Sequence, residues 1–312
     1  MKNFILVVLA LLVGHVVLAC DACGCSSNGD GWGIMPNYNR HFAGMRFHYR
    51  HYHNEHPMNS SDNTSLSGDD HFYRADLQFR YTINRRFQIA TVLPYRFNNR
   101  TEGESQLKKE GIGDVSVQFQ FLPVLPGNGK LKHALQLTGG IEAPTGKFKF
   151  SHEVPVNMQM GSGSWDYLAG LSYTIRHRNI GFNAEGTYRM NGYSKSGYDW
   201  GNSYTVANRL FYNVSRDSSA SLLPWIGMSY EHYESNIENM KYQIRAAYSS
   251  GELLLLNGGI DYFNNKVAIG AEFGIPLINA MSEGYSAVKI NCGIRLLVFI
   301  NPIKKQKTFY EN

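Results

Sequence analysis

The stretch Phe72-Tyr73-Arg74-Ala75-Asp76-Leu77-Gln78-Phe79-Arg80-Tyr81-Thr82-Ile83 decides the fold. Tyr73, Ala75, Leu77, Phe79 and Tyr81 share one phase of a two-residue period, and Arg74, Asp76, Gln78 and Arg80 share the other. A helix would mix these two sets around its circumference, whereas an extended chain sends them to opposite faces. The segment therefore reads as a strand with an apolar side and a charged side.

The same alternation recurs along the chain. Ala43, Met45, Phe47 and Tyr49 alternate with Arg46, His48 and Arg50, and Phe87, Ile89, Thr91, Leu93, Tyr95 and Phe97 form the next apolar face. Val115 to Phe121, Leu135 to Ile141, Trp165 to Ile175 and Ile180 to Met190 repeat the pattern, and further strands are expected near 202–214, 220–233, 251–263, 266–277 and 286–300. In the last, Val288, Ile290, Cys292, Ile294, Leu296, Val298 and Ile300 are expected on one face and Lys289, Asn291 and Arg295 on the other. This makes about twelve strands of roughly ten residues or more, enough for a tilted strand to cross a bilayer.

Connections alternate in length. Residues 84–85, 176–179, 215–219 and 264–265 are hairpin-sized, while 54–69, 99–110, 146–161, 191–200, 234–250 and 279–285 are longer. Residues 123–130, with Pro123, Pro126, Gly127 and Gly129, are intermediate. Short turns at one end and long loops at the other are the mark of a transmembrane up-and-down β-barrel, and with both termini at the short-turn end its strand number is even. A soluble sandwich or lipocalin-like barrel also alternates, but would bury the apolar phase. Here the polar phase carries both signs of charge at high density, as a water-filled lumen would.

Composition fits this expectation. The 312 residues include 20 Tyr and 17 Phe, only 18% are charged, and the net charge is +5. Mean hydropathy is −0.32. Tyr suits the lipid–water boundary because its ring is apolar and its tip polar. Residues 1–19 read as a secretory signal peptide: Lys2 opens it, an apolar run follows, and Val17-Leu18-Ala19 supplies a small-residue cleavage site. The run is short for a membrane anchor and holds His15. Lipoprotein processing with acylation of Cys20 is the other reading. Four parts are expected: 1–19 as signal, 20–40 as a Cys-containing segment serving as plug or anchor, 41–300 as barrel, and 301–312 as a basic tail. Within the second part, 26–39, with Trp32 and Met35, is a candidate internal plug.

Gly111-Ile112-Gly113-Asp114 opens the fourth expected strand, Ala143-Pro144-Thr145-Gly146 closes the fifth, and Gly161-Ser162-Gly163-Ser164-Trp165-Asp166 opens the sixth. In this order and spacing the motifs resemble the family of Gram-negative outer-membrane proteins known as putative meta-pathway phenol-degradation transporters. The resemblance covers roughly 40–300 and implies a barrel that passes small solutes across the outer membrane. The cysteine-bearing N-terminus looks similar to Bacteroidetes members. The basic tail departs from the pattern, since such barrels often end on an aromatic residue.

The expected lumen-lining set is Arg46, Arg50, Arg74, Asp76, Arg80, Arg96, Asp114, Glu142, Asp166, Glu185, Arg189, Arg209, Glu231, Asp261, Glu272, Lys289 and Arg295. Such charges either tune the passage of a solute or pair as a static ladder. Cys20, Cys23 and Cys25 form a C-x2-C-x-C cluster, compatible with a disulfide, an anchor or a soft metal. Among the early histidines His41, His48, His51, His53, His56 and His71, the pair His51 and His53 shares a face, so Cys23, Cys25, His51 and His53 are candidate metal ligands. His133 and Ser172 stand in no hydrolase motif, and no phosphate loop or zincin motif occurs, so no enzymatic activity and no cofactor are expected. Charge is spread along the chain, giving no nucleic-acid signature. The expected partners are outer-membrane lipid and a small solute. A non-conducting binding or structural barrel, metal-handling through the Cys/His residues, is the alternative.

Overall fold

The computed structural model describes residues 40–57, 65–126, 130–150, 154–194, 196–214, 220–239, 244–246 and 249–300. The expected signal at 1–19, the Cys20/Cys23/Cys25 cluster, the candidate plug at 26–39 and the basic tail lie outside them.

The strands in chain order are β1 (His41–Pro57), β2 (Ser65–Thr82), β3 (Phe87–Glu102), β4 (Ser105–Ile112), β5 (Val115–Val124), β6 (Leu131–Ala143), β7 (Asp166–His177), β8 (Ile180–Met190), β9 (Ser203–Tyr212), β10 (Ala220–Tyr233), β11 (Ile237–Asn239), β12 (Ile244–Arg245), β13 (Gly251–Asn264), β14 (Val267–Met281) and β15 (Ser286–Ile300). Strands β4 and β5 both pair with β3, β4 along its upper part and β5 along its lower part. They are two halves of one wall strand, interrupted at Gly113-Asp114. Strands β11 and β12 form a separate hairpin. Each remaining strand pairs antiparallel with its chain neighbours, and β1 pairs with β15 from His41↔Ile300 upward. The sheet is a closed twelve-strand up-and-down barrel.

Closure decides the orientation of every side chain. Met45, Phe47, Leu77, Phe79, Phe119, Leu171, Val206, Ile226, Ile269 and Ile294 are exposed on the outer wall, while Asp76, Gln78, Arg80, Gln118, Gln120 and Asn183 on the alternate phase are buried. The exterior is an apolar belt bounded by aromatic contacts. At one rim Phe87 stacks on Phe121 at 4.9 Å and His41 on Tyr81 at 4.7 Å. At the other, Tyr49 stacks on Tyr73 at 4.8 Å and Tyr204 lies 6.0 Å from Tyr230. Two girdles around an apolar band are the signature of a bilayer-spanning barrel.

Two sequence expectations change. Residues 99–110 form no open loop: β3 and β4 continue to a tight turn at Gly103-Glu104, where Gly103 adopts φ 55°. Lys289 is exposed on the outer wall, and Val288, expected on the lipid side, is buried inside. The cause is a β-bulge, since His51 pairs with Ile290 but Tyr52 pairs with Val288. One extra residue reverses the phase beyond it, and strict alternation cannot register that.

The wall makes a direct prediction. Ile294, 60% exposed between the girdles, should tolerate no charge: Ile294→Arg should destabilise the folded barrel by about 2–4 kcal/mol. The check is the urea midpoint of folding into lipid vesicles, and an unchanged midpoint would contradict a lipid-facing position.

Candidate functional site: the barrel interior

Twelve strands enclose a bore narrow enough for side chains to meet near the axis. The interior is layered. At the short-turn end, Phe42, Phe211, Leu223, Phe263, Leu297 and Phe299 pack with Ala90, Val92, Ala134, Ala268 and Trp225 into one buried apolar cluster. The Arg80 guanidinium lies 4.6 Å over the Phe42 ring, which lets a charge sit beside this layer.

The middle layer is charged and paired. Arg46 binds Glu272 at 3.0 Å and Arg295 binds Asp261 at 2.6 Å, each reaching past an intervening strand. Arg209 lies 3.5 Å from Glu185 and stacks over Trp225 at 5.0 Å. Arg74 binds Asp76 at 2.5 Å. Arg50 extends from β1 to Glu231 on β10, with β15, β14 and β13 between them in the wall. It makes a two-pronged pair at 2.9 and 2.8 Å, and the Tyr233 hydroxyl donates to the same carboxylate at 2.6 Å. Both charged groups are buried, so this pair is a strut across the bore. The strut itself borders a cavity with about 70 Å³ of room for water, lined also by Arg46, Glu185, Arg209, Trp225, Glu272 and Asn257. Above it Tyr52, Phe72, Met158, Tyr233, Leu253, Leu255, Met281 and Val288 form a second apolar layer.

At the long-loop end the three sequence motifs meet. Asp114, at the β4–β5 break, accepts the Gly146 N–H at 2.8 Å on one oxygen and the Ser162 N–H at 2.5 Å on the other. The Thr145 hydroxyl donates to the Gly113 carbonyl at 2.8 Å and accepts the Val115 N–H at 3.0 Å. Gly146 and Gly161 touch backbone to backbone: a Cβ on Gly146 would stand 2.7 Å from the Gly161 Cα. Only glycine allows that approach. Asp166 accepts from the Ser164 hydroxyl at 2.6 Å and the Gly192 N–H at 3.1 Å. Arg189 grips Glu142 with two hydrogen bonds, at 2.5 and 3.0 Å. The knot turns residues 144–150 and 154–165 into the barrel mouth, where Asn157, Met158 and Met160 are buried and Asn98 donates to the Met158 carbonyl at 3.3 Å. Arg100, paired with Asp70 at 2.6 Å, also reaches Asn157 at 3.4 Å. The sequence singled out these motifs as loop entries. Their convergence on one carboxylate was not legible there.

Of the expected lumen set, all but Lys289 project inward. The sequence missed the inward apolar residues. Phe42, Phe72, Phe211 and Phe263 stand on the polar phase of their strands, and this out-of-phase placement near strand ends is the signal that marks them. His51 and His53 converge on the outer wall, where both rings contact one oxygen of Asp69, at 2.9 and 3.0 Å. Among the described residues no three His, Cys, Asp or Glu side chains form a metal-holding group. Cys292 is a free thiol on the outward phase. His133 bonds the Tyr173 hydroxyl at 2.6 Å on the outer face, while Ser172 accepts from the buried Asn183 amide at 3.0 Å on the inner one. The wall therefore separates them, and they form no hydrolytic pair.

No family model matches the chain, and no curated protein matches it. Solved structures do. An outer membrane channel from Pseudomonas putida F1 superimposes with a TM-score of 0.62 at 13% identity, covering 84% of this chain and 96% of the channel. The translocator domain of the autotransporter NalP from Neisseria meningitidis gives 0.42 at 10% identity, covering 89% and 92%. A Pseudomonas aeruginosa FadL homologue gives 0.40 at 10% identity, covering 92% and 98%. The first of these shows that the chain has an outer-membrane barrel fold.

The Asp114 knot predicts its own release. In Asp114→Ala the 146 and 162 amides lose their acceptor, and segment 144–165 should swing out. Trypsin should then cut after Lys147 and Lys149 at least tenfold faster than in the wild type, a change of about 1.4 kcal/mol in opening free energy. Equal cutting rates would show that the carboxylate does not hold the segment.

Proposed function

We propose that this chain is a gated channel of the Gram-negative outer membrane for small polar solutes, with the Arg50–Glu231 strut as its principal bar. The observation that carries the reading is the strut itself, two buried opposite charges meeting across a bore whose walls carry both signs. A paired interior attracts neither anions nor cations in bulk. It offers dipolar solutes donors and acceptors in turn as pairs part and re-form. The family resemblance of the three loop motifs and the fold shared with an outer membrane channel both support this reading. The apolar cluster at the short-turn end favours a second one, a barrel that holds its contents without conducting.

Planar-bilayer recording of the purified protein separates the two. Removing one partner would strand a buried charge at a cost of about 3–5 kcal/mol, so both are replaced together. Wild type should show a small conductance with long closures, and Arg50→Ala combined with Glu231→Ala should raise it several-fold. Silence of both proteins in every salt tested would leave the non-conducting barrel.

A further inference from the structure

Among the described residues, the longest lapse in wall pairing, a seam, lies between β14 and β15. Between β14 and β15 the pairing runs regularly to Gly274↔Asn291 and resumes only at Met281↔Ser286. Residues 275–280 stay paired with β13 and residues 287–290 with β1, so each side keeps its outer neighbour and loses the inner one. Both strands bulge at this level: β14 at Leu277, between Leu254↔Ile278 and Leu255↔Pro276, and β15 at Lys289. Pro276 has no N–H to offer a ladder. One side chain spans the opening. The Asn279 amide donates to the Val288 carbonyl and accepts the Val288 N–H, both at 3.1 Å, standing in for a missing backbone pair.

Unpaired backbone facing lipid costs several kcal/mol per group, so an open ladder is tolerated only where its groups find other partners or line a cavity. Outside the seam, Ile275, Leu277 and Ile278 on β14 and Ile290 on β15 are exposed apolar side chains, with the bulged Lys289 beside Ile290 and the outward His51 and His53 across from it on β1. Inside lie Leu253, Leu255, Met281 and Val288, four members of the upper apolar layer. On the β14 side, apolar surface thus runs on both faces of the wall where its pairing with β15 lapses.

We infer that this seam is a side portal, with Asn279 as its latch, through which a small apolar solute passes between the outer leaflet and the upper apolar layer. The portal rests on the barrel spanning a membrane and not on axial conduction. It lies above the Arg50–Glu231 strut, so it gives apolar molecules a route that avoids the charged layer.

The test uses the full chain in dimyristoylphosphatidylcholine vesicles with a small apolar aryl diazirine dissolved in the lipid. Photolabelled residues are then read by mass spectrometry. A portal labels inward Leu253, Leu255 and Val288 as well as outward Leu254 and Ile290, and leaves Leu223 and Leu297 of the lower cluster unlabelled. Asn279→Ala should raise the inward labels several-fold with unchanged ion conductance and an unchanged heat-modifiable gel shift. Ala287→Trp, which lays an indole across the seam from outside, should lower them, and it keeps the test alive if the Asn279 variant fails to fold. Label confined to outward residues in all proteins overturns the portal, as does equal labelling of Leu223 and Leu297. A barrel that never conducts would sink the axial reading and leave these labels as they are.

Discussion

Backbone pairing in lipid is the constraint from which the rest of the molecule follows. No water reaches the hydrocarbon layer to satisfy a free N–H or C=O, so the sheet must close on itself. Closure is made by β1 against β15, and it fixes which side of each strand faces out. Once the apolar phase is committed to lipid, the polar phase has nowhere to go but the bore. The charges collected there must pair with one another, and that need produces the cross-bore contacts. Arg46 and Arg295 each reach past a strand to a carboxylate, and Arg50 reaches past three.

A bore filled this way is rigid where charges pair and dry where they give out. The lower layer, with Phe42, Phe211 and Phe263, sits where the turns are short and little loop is available to fill the end. The upper end is filled by a loop instead, and a loop in a barrel mouth brings backbone that must be hydrogen-bonded. Asp114 answers that need by accepting two amides from two turns. The adjoining glycines let the turns close to backbone contact. The motif residues therefore hold the inserted segment in the mouth.

Most of the barrel was legible from alternation because a half-apolar strand leaves a two-residue trace that needs no tertiary information. Strand number, the sequence of short and long connections, and the inward phase of residues such as Asp76, Glu231 and Asp261 follow from it. Three things do not. A bulge adds a residue without changing composition, so Lys289 was placed inside and Val288 outside. Ion-pair partners depend on barrel closure, so nothing local to Arg50 points to Glu231. Loop convergence is likewise a property of space: Gly113-Asp114, Thr145-Gly146 and Gly161-Ser162 are far apart in the chain and adjacent in the fold.

The bulge at Lys289 also shows why a narrow barrel is sensitive to its own wall. In a wide barrel a reversed phase would change one side chain on a distant surface. Here it delivers Val288 to a layer where Tyr52, Leu253, Leu255 and Met281 already meet, and removes a lysine that would have put an unmatched charge among them. The matching bulge at Leu277 and the break in pairing between them follow from the same geometry. From Gly274↔Asn291 to Met281↔Ser286 β14 advances seven residues and β15 only five, so the two strands lose register across the gap. The apolar upper layer and the open seam are thus one structural event. The pairing lapses at the height of the upper apolar layer, and Asn279 bridges it with two hydrogen bonds from a single side chain.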